Sequence, residues 1–303
     1  MQKYHSNGKL LLSAEYLILD GAKGLALPTS FGQHMEVSKN SNAFLTWESL
    51  DNTGKTWFKA DFNLSDLQIR HTEGDRNVAL TLKNILSTAK TMNPDFLEQE
   101  KGFHVTTKLD FPRNWGLGSS STLINNIAQW SDTDAFRLLF KSFGGSGYDI
   151  ACAQNDSAIL YSLKNGVPMT EPVAFDPPFR DQLYFVHLNK KQLSSDSIKD
   201  YRTKKVEPGL IESISDISKQ LLNCRDINSF NRLLKEHEAI MGKILQTDPV
   251  QTRLFPDFSG QIKSLGAWGG DFILATGAGD SPEYFKNKGF RTILAYDKMI
   301  KSS

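Results

Sequence analysis

The alternation of apolar and polar residues predicts strands over much of the first half of the chain. Apolar runs at residues 9–20 and 24–27 follow turn-forming pairs, and further strands are predicted at residues 35–37, 43–47, 56–62 and 103–109. Residues 77–92 instead repeat apolar side chains at the helical period, which predicts one amphipathic helix. The first half is therefore expected to be rich in strands, with a single early helix.

From residue 118 onward, the pattern predicts mainly helices. One helix should begin within residues 118–122, and another should cover residues 132–143, because Ser131 and Asp134 nearly form a capping box. A proline-rich stretch at residues 165–180 indicates a domain boundary. The elements predicted beyond it are a strand at 183–188, amphipathic helices at 211–224 and 227–245, and a strand at 272–275 after a glycine-rich turn.

Composition excludes several classes of protein. The 303 residues include 35 Lys+Arg and 34 Asp+Glu, so the net charge of +1 disfavours a nucleic-acid partner. The most apolar run near the start is interrupted by Glu15 and is too short to span a membrane. Two cysteines, Cys152 and Cys224, cannot build a disulfide framework or a CxxC zinc site. We therefore expect a globular protein in a reducing, cytoplasmic compartment, with no membrane partner.

A glycine- and serine-rich segment in the middle of the chain is the most informative candidate site. It follows a predicted strand, opens a predicted helix and consists of Gly116, Leu117, Gly118, Ser119, Ser120 and Ser121. Free N–H groups and the positive end of a helix dipole favour a phosphate there, and the hydroxyls add ligands for phosphate oxygens or Mg²⁺. The segment lacks the P-loop pattern GxxxxGK[ST]. Taken alone, it is equally well explained as a surface loop with a helix cap.

Three further candidates are each ambiguous when taken alone. Asp149 follows a run of small residues, where its carboxylate could meet a substrate hydroxyl or only form a turn. Residues 266–271 are either a strand-entry turn or a close approach of the backbone to a ligand. Lys9 is either a solvated lysine or a cation directed at a phosphate.

In their order and spacing, these segments resemble motifs of the GHMP kinases, the family named for galactokinase, homoserine kinase, mevalonate kinase and phosphomevalonate kinase. The resemblance extends from Gly8-Lys9 and Ala14-Glu15-Tyr16 to residues 266–271, and residues 147–151 resemble the GYDIA signature of a bacterial branch. It implies an α+β fold of two domains. These are a ribosomal-S5-like, ATP-binding domain at residues 1–170 and a ferredoxin-like α+β domain at residues 171–303.

The resemblance also implies a chemistry. It is that of an ATP-dependent phosphotransferase of the mevalonate (isoprenoid) pathway that uses Mg²⁺ and a small-molecule acceptor, phosphomevalonate or mevalonate, as a monomer or homodimer. Asp149 and Lys9 match catalytic residues, residues 116–121 match the loop that binds the ATP phosphates, and Ser119 and Ser120 are candidate Mg²⁺ ligands. The residues implied in substrate binding are Glu15, Tyr148, Gly266, Gly269 and Gly270.

Some positions depart from the family pattern. Trp268 stands where glycine is usual, and we expect it to narrow a ligand pocket. Leu138 lies about 11 residues before Asp149, where mevalonate kinases carry a glutamate that helps to hold Mg²⁺. For a phosphorylated acceptor, Lys190 and Lys191 are candidate cations, or else a solvated pair.

Other functions also stay open. They are a catalytically weak, GHMP-like protein that only binds ligand, and a kinase for another small alcohol or sugar. An RNA-binding module is disfavoured by the near-neutral charge.

Overall fold

The structure is a computed structural model that describes residues 1–98, 101–190, 200–266, 268 and 270–301. Contacts divide the chain into two compact units. Unit 1 comprises Met1–Gly8, Phe31–Arg113 and Leu117–Gln154, and unit 2 comprises Lys9–Ser30, Asn114–Gly116 and Asn155–Ser303. The two units do not coincide with the predicted domains at 1–170 and 171–303, because strands β1 (Gln2–Leu11) and β2 (Gly24–Lys39) each run through both units. The predicted domain boundary therefore stays a prediction.

Unit 1 combines a mixed sheet with four helices. Its strand order is β5-β4-β3-β6-β2, in which β3 and β6 are parallel and the other neighbours are antiparallel. The further strands are β3 (Phe44–Leu50), β4 (Thr56–Asn63), β5 (Ile69–Glu73) and β6 (Phe103–Leu109). The helices are α1 (Arg76–Met92), α2 (Ser119–Trp130), α3 (Ala135–Ser142) and α4 (Tyr148–Gln154). Their apolar faces bury one core that includes Trp47, Phe58, Phe62, Leu86 and Ile127.

Unit 2 contains two groups of strands. The first half of β2 pairs with β7 (Ile159–Lys164), which pairs with β8 (Val167–Pro172). An antiparallel sheet of order β10-β11-β9-β12 is formed by β9 (Leu183–His187), β10 (Ile262–Ser264), β11 (Phe272–Thr276) and β12 (Ile293–Ala295). The helices are α5 (Pro208–Leu222), α6 (Ile227–Leu245), α7 (Val250–Leu254), α8 (Ser281–Asn287) and α9 (Tyr296–Met299). None of the helices described in either unit is long and apolar enough to cross a bilayer.

Local signals explain where the helices of unit 1 begin. Asp75 caps α1 by accepting a hydrogen bond from the backbone N–H of Asn77 at 2.8 Å. Asp134 caps α3 in the same way, with its carboxylate 2.7 Å from the N–H of Arg137. The prediction that Ser131 starts this helix is wrong, since Ser131 lies at the end of α2 and its hydroxyl donates to the carbonyl of Ile127.

Three other sequence predictions need correction. Residues 9–20 are not one strand, because β1 ends at Leu11 and Leu17–Asp20 form a 3-10 helix. Positive φ angles at Ala14 (66°) and Tyr16 (57°) turn the backbone between these elements. Asp149 does not lie in a loop between elements, because it belongs to the first helical turn of α4. The separate strands predicted at 24–27 and 35–37 are parts of the single long strand β2.

Candidate active site

The start of helix α2 leaves backbone donors available at the middle glycine-rich segment. Gly118 precedes the helix with a φ of 90°, a left-handed conformation that glycine adopts without steric cost. The first helical hydrogen bond runs from the N–H of Thr122 to the carbonyl of Gly118 at 3.0 Å. The N–H groups of Ser119, Ser120 and Ser121 therefore precede the helical ladder, at the positive end of the helix dipole.

The hydroxyl groups of this segment differ in their surroundings. Ser120 is exposed and Ser119 is partly buried. Ser121 is only 2% exposed, and its hydroxyl donates to the carbonyl of Gly118 at 2.9 Å. The buried hydroxyl of Thr122 donates to Oε1 of Gln33 at 2.9 Å. Ser119 and Ser120 are thus the hydroxyls that a bound ion could reach, whereas Ser121 offers its backbone N–H.

A buried polar network, which sequence reasoning missed, holds α2 and α4 in unit 1. Asn125 donates to the hydroxyl of Ser6 at 2.8 Å, and that hydroxyl donates to Oδ1 of Asn126 at 2.7 Å. Asn126 in turn donates to the carbonyl of Gln33 at 3.0 Å, and Gln154 of α4 donates to Oδ1 of Asn125 at 3.0 Å. The sequence signal is a pair of asparagines within the apolar stripe of α2, where polar groups need partners.

The predicted catalytic residues lie in different units. Asp149 in unit 1 is partly buried in the first turn of α4, and its Oδ1 accepts a hydrogen bond from the N–H of Ile150 at 3.2 Å. Tyr148 is the first residue of the same helix and is also partly buried. Lys9 is a partly buried residue of strand β1 and belongs to unit 2. The catalytic roles of Asp149 and Lys9 stay predictions.

Within unit 2, Gly116 lies beside Asp271 of the last glycine-rich segment. Gly116 has a φ of 66°, and a Cβ placed on it would lie 2.2 Å from Oδ2 of Asp271. The backbone holds Asp271 in place, because its N–H donates to the carbonyl of Lys190 at 2.7 Å and its carbonyl accepts from Leu188 at 2.7 Å. Gly266 is partly buried and Gly270 is buried, whereas Gly269 lies outside the described residues. Lys191 also lies outside them, and Lys190 is exposed.

Two positions that depart from the family pattern are buried. Trp268 is 4% exposed, and a Cβ on Gly242 of α6 would lie 3.6 Å from its ring. The side chain therefore packs inside unit 2, and the expectation that it narrows a ligand pocket stays a prediction. Leu138 is fully buried in the core of unit 1. Helix α3 thus offers an apolar side chain where the resemblance leads us to expect a carboxylate.

Glu15, a predicted substrate-binding residue, lies in a buried charged cluster of unit 2. It is 1% exposed, and its Oε1 accepts a hydrogen bond from the fully buried ammonium group of Lys263. Nζ of Lys263 also lies 3.1 Å from Oε1 of the buried Glu238, whose Oε2 accepts from the hydroxyl of Ser264 at 2.8 Å. His237 completes the cluster, with its Nε2 3.3 Å from Oε2 of Glu15. We refer to Glu15, His237, Glu238 and Lys263 as the buried charge cluster.

Burial shifts the protonation of this cluster. It raises the pKa of Glu15 to about 7, and the nearby Lys263 opposes that shift. Burial, followed by the charge of Lys263, holds the pKa of His237 well below its ordinary value. A neutral His237 agrees with the hydrogen bond that its Nε2 accepts from the N–H of Ala14 at 2.9 Å. Substrate binding by Glu15 stays a prediction, because the structure surrounds this carboxylate with protein groups.

The α+β fold of the chain is that of the GHMP kinases. No family model and no curated protein sequence matches the chain. Among solved structures, it is similar to mevalonate kinase of Methanococcus jannaschii, with a TM-score of 0.71 and 14% identity over 97% of this chain and 96% of that one.

Two further structures extend the comparison to other acceptors. Phosphomevalonate kinase of Streptococcus pneumoniae, in complex with phosphomevalonate and AMPPNP, has a TM-score of 0.68 and 16% identity over 95% of this chain and 96% of that one. Galactokinase of Lactococcus lactis, complexed with galactose, has a TM-score of 0.69 and 13% identity over 100% of this chain and 94% of that one. The predicted fold is therefore confirmed, whereas the substrate is not determined at these identities.

Proposed function

We propose that the chain is an ATP-dependent kinase that transfers the γ-phosphate of ATP to a small alcohol, and that this alcohol is phosphomevalonate or mevalonate. The observation that carries the proposal is the start of α2 in a chain with the GHMP kinase fold. There, a left-handed Gly118 precedes three N–H groups that lie ahead of the helical ladder.

The proposed nucleotide site acts through position and charge, which are what phosphoryl transfer chiefly requires. The N–H groups of Ser119, Ser120 and Ser121 would bind phosphate oxygens, helped by the positive end of the α2 dipole. Gly118 has a positive φ angle and no Cβ, so the backbone can approach a nucleotide closely at this position.

The accessible hydroxyls of this loop suit the Mg²⁺ ion that the fold implies. Mg²⁺ prefers hard oxygen ligands and keeps several waters when it is bound with a nucleotide. The exposed Ser120 and the partly buried Ser119 supply such oxygens, and either residue would hold the ion. When bound, Mg²⁺ neutralises negative charge on the phosphates. The buried Leu138 contributes no ligand, so the protein would supply few of the ligands directly.

Asp149 and Lys9 have complementary proposed roles. Asp149 would orient the acceptor hydroxyl and accept its proton, and Lys9 would stabilise the negative charge that develops on the oxygens. The hydrogen bond between Gln154 and Asn125 supports the role of Asp149, because it ties α4 to the helix that begins at the proposed phosphate loop. Such a link keeps a proton acceptor at a fixed place relative to that loop.

The acceptor is proposed from sequence features and from the similar structures together. Three segments resemble phosphomevalonate kinases more than mevalonate kinases: residues 14–16, the Gly-Ser-Gly before Tyr148 and the Gly-Gly-Asp ending at Asp271. The similar structures include kinases of both types, and one galactokinase keeps a sugar acceptor as the alternative. A ligand-binding protein without turnover is the other alternative, and the missing carboxylate at Leu138 favours it.

A coupled assay of ADP formation tests both the activity and the role of Asp149. We expect turnover with phosphomevalonate or mevalonate and none with galactose. Asp149→Asn should lower that turnover about 10²- to 10⁴-fold, the usual contribution of a general base, while nucleotide binding persists. Asp132→Asn is the matched control, since Asp132 is an exposed residue of the same unit and asparagine tolerates its φ of 50°.

Two outcomes would contradict the proposal. Unchanged turnover in Asp149→Asn would show that Asp149 has no catalytic role. Saturable nucleotide binding without turnover on any acceptor would favour the ligand-binding protein.

A further inference from the structure

Three metal-ligating side chains meet on the surface of unit 1, and none of them is among the residues proposed for the kinase reaction. They are His5 on β1, His34 on β2 and Asp110 directly after β6, and their ligand atoms all lie within 4.8 Å of one another. Nε2 of His34 lies 3.2 Å from Oδ2 of Asp110, and the rings of His5 and His34 are 4.6 Å apart between centroids. We propose that these three residues bind a divalent transition-metal ion of the zinc type.

The backbone of unit 1 brings His34 and Asp110 together. In the antiparallel ladder of β2 and β6, His34 lies opposite Lys108 and Gln33 lies opposite Leu109. One step further, the N–H of Asp110 donates to the carbonyl of Gly32 at 3.0 Å, and the N–H of Gly32 donates to Oδ2 of Asp110 at 3.2 Å. The carboxylate is therefore oriented by a backbone donor before any ion arrives, as the ligands of metal sites commonly are.

Gly32 also makes room for the third ligand. A Cβ at this position would lie 2.5 Å from Nε2 of His5 and 2.4 Å from the carbonyl oxygen of Ser6. Any other residue would push the imidazole or the strand away. The absence of a side chain at Gly32 thus lets His5 lie beside the other two ligands.

The ligand set determines the class of ion. Two imidazoles and one carboxylate bind Zn²⁺ tetrahedrally and leave a fourth position for water. Ligand atoms at about 2.0–2.2 Å from such an ion are roughly 3.4 Å from each other, so the 3.2 Å between His34 and Asp110 already fits. Imidazole favours Zn²⁺, Co²⁺, Ni²⁺ and Cu²⁺ over Mg²⁺. The site is therefore distinct in chemistry from the Mg²⁺ position proposed at Ser119 and Ser120.

The bound ion would cross-link three segments of unit 1 that are remote in sequence. It would join the start of β1, the middle of β2 and the residue that follows β6. Ions can reach the site from solvent, because the side chain of His34 is 52% exposed and that of Asp110 is 32% exposed. An ion that binds the folded state alone stabilises it. The expected effect is a higher unfolding temperature of the full chain when Zn²⁺ is present.

Titration of the full chain with Co²⁺ tests the site, because tetrahedral Co²⁺ has characteristic visible absorption bands. The wild type should bind one equivalent with these bands, and Zn²⁺ but not excess Mg²⁺ should displace it. His5→Gln and His34→Gln should each weaken binding by roughly 100-fold, and Asp110→Asn by at least about 10-fold. The variants should also lose the increase in unfolding temperature that Zn²⁺ gives the wild type.

His71→Gln is the matched control. His71 is another exposed histidine of unit 1, and its Nε2 lies 3.4 Å from Oε1 of Glu73, so it forms a surface pair without a second imidazole. This variant should bind Co²⁺ as the wild type does. Circular dichroism without metal verifies that each variant is folded, and the exposed positions of the histidines favour that result.

Three results would overturn the proposal. The first is a wild type that shows no tetrahedral Co²⁺ bands. The second is equal affinity in the wild type and in both folded variants, His5→Gln and His34→Gln. The third is an equal loss of affinity in His71→Gln. None of these results bears on the kinase proposal, whose residues lie elsewhere in the chain.

Discussion

Lys263 is fully buried and is the only cation of the buried charge cluster, which contains two carboxylates. Its ammonium group donates to Glu15 and lies 3.1 Å from Glu238. Isolated charges in a protein interior are costly, whereas paired ones are partly compensated. Lys263 therefore stabilises the fold mainly because, without it, two buried carboxyl groups would have no cation beside them.

We expect Lys263→Met to lower the free energy of unfolding by about 3–5 kcal/mol, the usual cost of removing one partner of a buried ion pair. Urea denaturation measures this change. Adding Glu238→Gln to Lys263→Met should recover part of the loss, because a neutral amide then replaces a carboxylate that has lost its cation. A double variant no more stable than the single one would contradict this account of the cluster.

Some residue roles were predictable from local sequence and others were not. Gly118 was predictable because a glycine between a strand and a helix is the residue that adopts a left-handed cap. The environment of Glu15 was not, because its partner Lys263 lies 248 positions away and a buried lysine has no local signature. The surroundings of Trp268 were not predictable for a similar reason, since the sequence near it does not reveal that Gly242 of α6 lies beside its ring.

At the scale of elements, predictions succeeded where one face of an element is buried. Helices α1 and α6 carry apolar stripes, and both were predicted within a residue or two of their observed bounds. Residues 9–20 failed because almost every side chain there is buried, so the pattern lacks a period that separates strand from helix. Short elements such as β10 and β12, of three residues each, were missed because so few residues show no period.

Gly116 and Gly266 offer a matched pair of glycine substitutions, one in each of two glycine-rich segments. Gly116→Ala and Gly266→Ala should both cost roughly 1–2 kcal/mol of stability, because both glycines have a positive φ. Only Gly116→Ala should also displace Asp271, since nothing lies within 4 Å of a Cβ at Gly266. We therefore expect the larger loss of stability and of nucleotide affinity in Gly116→Ala, measured by urea denaturation and by nucleotide titration.

A second substitution separates strain from contact in this loop. Adding Asp271→Ser should restore part of the stability that Gly116→Ala loses, and it should not restore stability to Gly266→Ala. Equal effects of the two alanines would indicate that the contact between Gly116 and Asp271 has no energetic weight.

At the scale of the whole molecule, the resemblance to GHMP kinases predicted the fold correctly, although identities to the similar structures are only 13–16%. This was possible because glycines and charged residues around a ligand are restricted by geometry, whereas core positions accept any apolar side chain of suitable volume. The division into units was not predictable, because a strand that runs through both has the same local pattern as any other strand.

The free energy of unfolding of the whole chain depends on pH, and Glu15 changes it in the direction opposite to that of most carboxyl groups. Its folded pKa of about 7 exceeds the ordinary value of 4.5, so the protonated form is favoured by folding. The stabilisation that this raised pKa gives the folded state is fully present below about pH 4.5 and is lost as the pH rises through about 7. The free energy of unfolding of the wild type should therefore fall relative to Glu15→Gln across that range.

Glu48 supplies a control of opposite sign. The hydrogen bond from Thr56 lowers its pKa, so its contribution is present above its ordinary value and is lost in acid. Glu48→Gln should accordingly become less stable relative to the wild type as the pH rises. Urea denaturation at a series of pH values measures both differences, and a flat difference for Glu15→Gln would contradict the shifted pKa.

The discontinuous course of unit 2 has a consequence for synthesis on the ribosome. All residues of unit 1 lie before residue 155, so this unit can fold while the rest of the chain is still being made. Glu15 belongs to unit 2 and must wait for Lys263, which is added 248 residues later. At about 5–20 residues per second, this delay is roughly 12–50 s, during which Glu15 is an ordinary solvated carboxylate. The buried charge cluster can therefore form only after the ribosome has added Lys263.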